Sequence, residues 1–120
     1  MDTQIILFGL WTAVMLTYLL GDVIRIFAGD FEKGKIGGKK MSQTMWLIIA
    51  FMMITPILFA VFSLVLDQPI NRIMNISGGA IWLLFNLFGL PTYPGYYDRF
   101  LLGVSMVFNS MTIWYAYNWV

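Results

Sequence analysis

A chain of 120 residues with 60% hydrophobic and only 11% charged side chains lacks the polar surface of a soluble domain, where the shares are roughly 45–50% and about 25%. That length suits one domain, and a formal charge of +1 supplies no field that would draw nucleic acid. With neither cysteine nor histidine, the commonest nucleophiles, general bases and metal ligands are missing, and no cofactor or metal site is predicted.

The chain starts Met1-Asp2-Thr3-Gln4 without the basic region and cleavage site of a secretory signal, so the first apolar stretch is expected to be retained. About 20 apolar residues cross the ~30 Å hydrocarbon core of a bilayer, and four stretches approach that length. The first runs from about Ile5 to Ala28 and holds Asp22 and Arg25 in its last turns; the second, Gln43 to Leu66, is uncharged and should be kinked by Pro56. The third runs from about Ile70 to Leu90, where Pro91 stops it, and the fourth from about Tyr96 to Trp119. Short connections at Asp67-Gln68-Pro69 and Pro91-Thr92-Tyr93-Pro94-Gly95 make neighbours antiparallel. The expected fold is all-α: an integral membrane four-helix bundle, up-down-up-down, forming one transmembrane domain over residues 1–120.

Basic residues are held on the cytoplasmic side of a membrane. Arg25, Lys33, Lys35, Lys39, Lys40 and Arg99 fall at one end of such a bundle and Arg72 alone at the other, which puts both termini outside the cytoplasm of a multi-pass protein of the cell membrane. Trp46, Tyr93, Tyr96 and Tyr97 then mark the inner interface, and Trp114, Tyr115, Tyr117 and Trp119 the outer one. The longest connection, about 29–42, combines four glycines with four lysines and reads as a mobile cytoplasmic loop that sets topology; attraction of anionic headgroups is its functional reading.

Polar residues inside the spans recur at helical spacing. Trp11, Met15, Tyr18, Asp22 and Arg25 share one stripe of the first helix; Asn71, Asn75, Gly78 or Gly79, Trp82 and Asn86 share one on the third; Ser105, Asn109, Thr112 and Ala116 share one on the fourth. The second helix offers the greasier line Thr44, Ile48, Phe51 and Thr55. Singly, such amides and small residues are the packing glue of membrane bundles. Together, Trp11, Tyr18, Asn75, Trp82, Asn86 and Asn109 could line an aromatic-and-amide cavity. Asp22, Arg25, Asp98 and Arg99 form a second group, read as a charge-balanced latch between two helix ends, with a proton or cation relay as the alternative.

Leu10-Trp11 through Tyr18, Gly21-Asp22-Val23, Pro56-Ile57, Asn71-Arg72, Asn75-Ile76 and Ile113-Trp114-Tyr115-Ala116-Tyr117-Asn118-Trp119 together resemble a group of small prokaryotic four-span proteins known only as a domain of unknown function. The resemblance supports fold and boundaries and carries no site. In architecture such proteins are loosely similar to the DoxX-like four-helix group, a likeness that would imply membrane redox or quinone partners.

Three functions follow as expectations. The first is a non-enzymatic bundle that binds a lipid-like, quinone-like or aromatic small molecule, or a membrane protein partner, on its inward face. The second is a small transporter or channel built by homo-oligomerisation. The third is an enzyme on a lipid substrate, for which only Asp22, Asp98, Tyr18 or a serine such as Ser63 is on offer, with no readable nucleophile–base pair.

Overall fold

A computed structural model describes residues 2–30, 32–36, 39–93 and 95–119; Gly37 and Gly38 of the expected loop and Pro94 of the last connection lie outside the described residues. Four helices, α1 (Thr3–Phe27), α2 (Gln43–Val65), α3 (Gln68–Gly89) and α4 (Tyr96–Tyr117), form an up-down-up-down bundle. Each is long and apolar enough to cross a membrane, and large apolar side chains cover the outside of all four.

The helix ends follow from local chemistry. At the end of α1, Gly29 takes φ +76, and the amides of Gly29 and Asp30 donate back to Ile26 O and Arg25 O. This is the glycine-terminated Schellman closure. Ser42 Oγ accepts from Met45 N at 3.2 Å and caps α2. The third helix starts at Gln68, earlier than expected, because Pro69 falls in its first turn, where no amide hydrogen is required. Its far end passes into a 3₁₀ turn over Leu90–Thr92 that contains Pro91.

The expected mobile loop carries a short antiparallel ladder instead. Strands β1 (Lys35–Ile36) and β2 (Lys39–Lys40) pair Lys35 with Lys40 and Ile36 with Lys39. Gly34 at φ +75 supplies the left-handed residue ahead of the first strand.

Packing is uneven around the bundle. α1 lies between α2 and α4, α3 packs along α4, and the α2–α3 seam is the slightest of the four. Trp11, Leu7 and Val14 are fully buried, and the Trp11 ring packs at 4.7 Å, tilted by 50°, on Phe59 of α2. The buried line of α2 is Pro56, Ala60 and Ser63. This corrects the expected Thr44, Ile48, Phe51 and Thr55, of which Phe51 is 66% exposed. The expected line lies about one residue, or 100° of helix, away from the buried one.

Two glycines of α3 set its distance from both neighbours. A Cβ on Gly78 would stand 2.6 Å from the Phe59 ring; one on Gly79 would stand 2.9 Å from Ile113 Cγ1 and 3.4 Å from the Asn109 carbonyl. Gly79→Val should therefore push α3 off α4 and lower the thermal midpoint in detergent, an overpacking loss of about 1–3 kcal/mol. An unchanged midpoint would show that the α3–α4 seam does not need the close approach.

Candidate functional site

The inward polar residues divide into three levels along the bundle. At the end holding the termini, Asn71 Nδ2 donates to the carbonyls of Ser63 (2.8 Å) and Leu66 (3.2 Å), satisfying the C-terminal turn of α2. Asn75 Nδ2 donates to Asn71 O and Oδ1, and Asn75 Oδ1 accepts from the Trp11 indole at 2.6 Å. The one hydroxyl hydrogen of Ser63 goes to Phe59 O at 2.7 Å in preference to Asn75 Oδ1 at 3.3 Å. At the same end Arg72 donates to the carbonyls of Ala116 and Tyr117 and closes the last turn of α4. Trp11 and Asn75, two of the expected cavity residues, thus belong to a network whose donors and acceptors are matched, and its work is to hold α1, α2 and α3 together.

Along α4, from the middle level to the end holding the termini, Ser105, Asn109, Thr112 and Ala116 are all fully buried. Thr112 donates to Phe108 O. Among the described residues, Asn109 Nδ2 and Oδ1 and Ser105 Oγ have no hydrogen-bond partner.

The third level opens. Tyr18 OH donates to Asn86 Oδ1 at 2.6 Å, and the Tyr18 ring lies 5.9 Å from Trp82, which meets Phe85 edge-on at 5.1 Å. Beside them is a half-open cavity of about 370 Å³ lined by Phe85, Asn86, Phe88, Gly89, Thr92, Tyr93 and Leu102. Pockets of this size accept small organic molecules. Asn86 is fully buried, its Oδ1 is taken by Tyr18, and its Nδ2 reaches no partner among the described residues. The cavity wall is thus largely apolar and aromatic, with Asn86, Thr92 and Tyr93 as its polar members.

A charged rim stands at that end. Arg25 Nη2 pairs with Asp98 Oδ1 at 2.7 Å and Arg25 Nη1 with Asp22 Oδ1 at 3.0 Å, while its guanidinium lies 5.7 Å from the centre of the Tyr93 ring. Asp98 is buried and the Asp22 side chain is 59% exposed, so Asp98 is the ion that depends on Arg25. Arg99 stands outside this group, with its Nε donating to Tyr93 O at 2.7 Å. Tyr97 OH reaches Asp30 Oδ2 at 2.6 Å and ties α4 to the segment after α1.

Of the six residues expected to line one cavity, Tyr18, Trp82 and Asn86 meet at the open level, Trp11 and Asn75 meet at the closed level, and Asn109 lies between. The cavity walls Phe85, Phe88, Tyr93 and Leu102 were not singled out by spacing. Phe85 and Phe88 flank Asn86 on the helix, and Tyr93 follows the proline-bearing turn, which is the signal that marks them.

With this geometry in view, the chain matches over residues 2–119 the model of a family of unknown function, DUF6326. It belongs to that family. No curated protein and no solved structure matches it. The DUF6326 match covers all four helices, the cavity and the charged rim.

Removing one carboxylate of the rim should separate its two members. Asp98→Asn leaves Arg25 half-buried with only an exposed partner and should cost about 2 kcal/mol in thermal unfolding, since breaking a buried ion pair costs more than an exposed one. Asp22→Asn should cost clearly less. Equal losses would mean that the two carboxylates share the latch evenly.

Proposed function

We propose that this protein is an integral membrane bundle that holds an amphiphilic small molecule, lipid-like or quinone-like, in the aromatic cavity beside Asn86, without chemistry of its own. The observation that carries the reading is a cavity of about 370 Å³ whose largely apolar wall includes Asn86, a buried amide whose Nδ2 has no partner among the described residues. An unpaired buried donor costs about 1–3 kcal/mol, and a guest with a carbonyl or ester oxygen would relieve it. Phe85, Phe88, Tyr93 and Leu102 suit a ring or chain behind that oxygen. The side chains open to an enzymatic reading are otherwise occupied: Ser63 donates to a backbone carbonyl, Tyr18 to Asn86, and both aspartates face Arg25.

In a mild detergent, native mass spectrometry should show a monomer that retains a lipid- or quinone-sized adduct. Tyr18→Phe combined with Asn86→Leu replaces the hydrogen-bonded pair by apolar groups of similar shape. It should leave helix content intact and weaken retention about tenfold, the scale of one buried hydrogen bond. A stable oligomer free of adduct would instead support a transport pathway shared between copies.

The charge distribution supports an orientation with both termini outside the cytoplasm. Arg25, the hairpin lysines and Arg99 lie at one end of the bundle and Arg72 at the other, as the inside preference of basic residues requires. Because the chain contains no cysteine, single substitutions report topology without background. A membrane-impermeant maleimide applied to intact cells should label Asp2→Cys and spare Lys39→Cys; the reverse pattern would invert the bundle.

A further inference from the structure

The 3₁₀ turn over Leu90–Thr92 divides the basic end of the bundle into two compartments. On one side is the cavity already described. On the other is an open groove of about 590 Å³ lined by Leu90, Pro91, Tyr96, Arg99 and Phe100. We infer that this groove docks an anionic phospholipid, its phosphate on the Arg99 guanidinium and its glycerol and upper acyl segment on Leu90, Pro91 and Phe100.

Arg99 is the one groove residue that carries a charge, and among the described residues no carboxylate lies within ion-pair distance of it. Its neighbour Asp98 is turned inward to Arg25. The Nε–H of Arg99 is fixed on Tyr93 O at 2.7 Å, which anchors the guanidinium while its two Nη groups find no partner among the described residues. A planar fork of N–H donors held at one edge matches the two free oxygens of a phosphodiester.

The remaining walls suit the rest of a lipid. Phe100 is 70% exposed and Tyr96 88% exposed, an apolar ring open to its surroundings beside an aromatic of the kind that sits at headgroup level. The groove lies at the end of the bundle where the basic residues gather, so a bilayer there presents its cytoplasmic leaflet, which carries the anionic lipids. This inference rests on the membrane reading and its orientation but not on the Asn86 cavity.

The hairpin lysines are the competing source of anion preference, and the test is built to separate them. The full-length protein is reconstituted in equal parts of phosphatidylglycerol and phosphatidylcholine, and the lipid that remains bound is read by native mass spectrometry. Wild type should prefer phosphatidylglycerol about fivefold, the worth of one basic contact at a membrane surface. Arg99→Gln should bring the preference close to unity, whereas Lys39→Gln with Lys40→Gln should keep it. The Tyr18→Phe, Asn86→Leu chain should keep it too, so that loss of the cavity guest and loss of the docked lipid are read apart. Preference surviving in Arg99→Gln, or vanishing with the hairpin lysines, would overturn the proposal. Photoreactive phosphatidylglycerol on the wild-type chain gives a readout independent of variant folding: label should map to residues 90–100, and label confined to residues 32–40 would also overturn it.

Discussion

The Trp11 indole reaches diagonally across the bundle to Asn75 at 2.6 Å, and the placement of the other helices depends on that contact. It joins two helices that are not neighbours in the packing order, so the side chains between them must be arranged around it. Asn75 is turned toward Trp11 because its own amide hydrogens go to Asn71, and Asn71 in turn holds the last carbonyls of α2. Three helices are thus registered by one chain of donors and acceptors. Where water is excluded such a chain fixes register well, because a slip by one turn would strand every member of it. Apolar contact alone, which Phe59 and Ala60 provide on the α2 side, would tolerate several arrangements.

The same economy explains why the two ends of the polar stripe behave differently. At the closed end each amide hydrogen finds an oxygen, and the level is filled by Trp11, Phe59 and Ser63. At the open end the helix gives way to a 3₁₀ turn, α3 loses its neighbour's cover, and Asn86 keeps one partner where Asn75 has several. Identical residue types on one stripe of α3 therefore act as adhesive in one place and keep a donor without a partner among the described residues in the other. The difference lies in what surrounds them.

Much of this was legible in the sequence. Asn71, Asn75, Trp82 and Asn86 repeat at steps of four and three among apolar residues, and so do Ser105, Asn109 and Thr112, so the buried faces of α3 and α4 could be read directly. The face of α2 could not, because apolar residues surround that helix on all sides and its inner line is marked by just Pro56, the small Ala60 and Ser63. Its place beside Asp98 in the sequence puts Arg99 in the charge cluster. Adjacent residues on a helix point about 100° apart, and the structure shows each turned to a different partner. The lysine-rich segment gave no alternation from which a strand could be predicted, and its ladder spans two residues on each side. The depth of the cavity depends on where a proline-bearing turn leaves α3, a tertiary matter that spacing does not encode.

The slight seam between α2 and α3 has a consequence for assembly. α2 is the most apolar of the four helices and α4 the least, and α2 meets α3 over a short stretch while α1 packs on both α2 and α4. In a bilayer the first two helices would present lipid with a hairpin that contains the most apolar of the four helices. The asparagines of α3 would be poor guests for lipid until that hairpin offers Trp11, Tyr18 and the carbonyls at the end of α2 as partners. From α2 onward hydropathy falls along the chain, so α3 and α4 have more to gain than α2 from neighbours already in place.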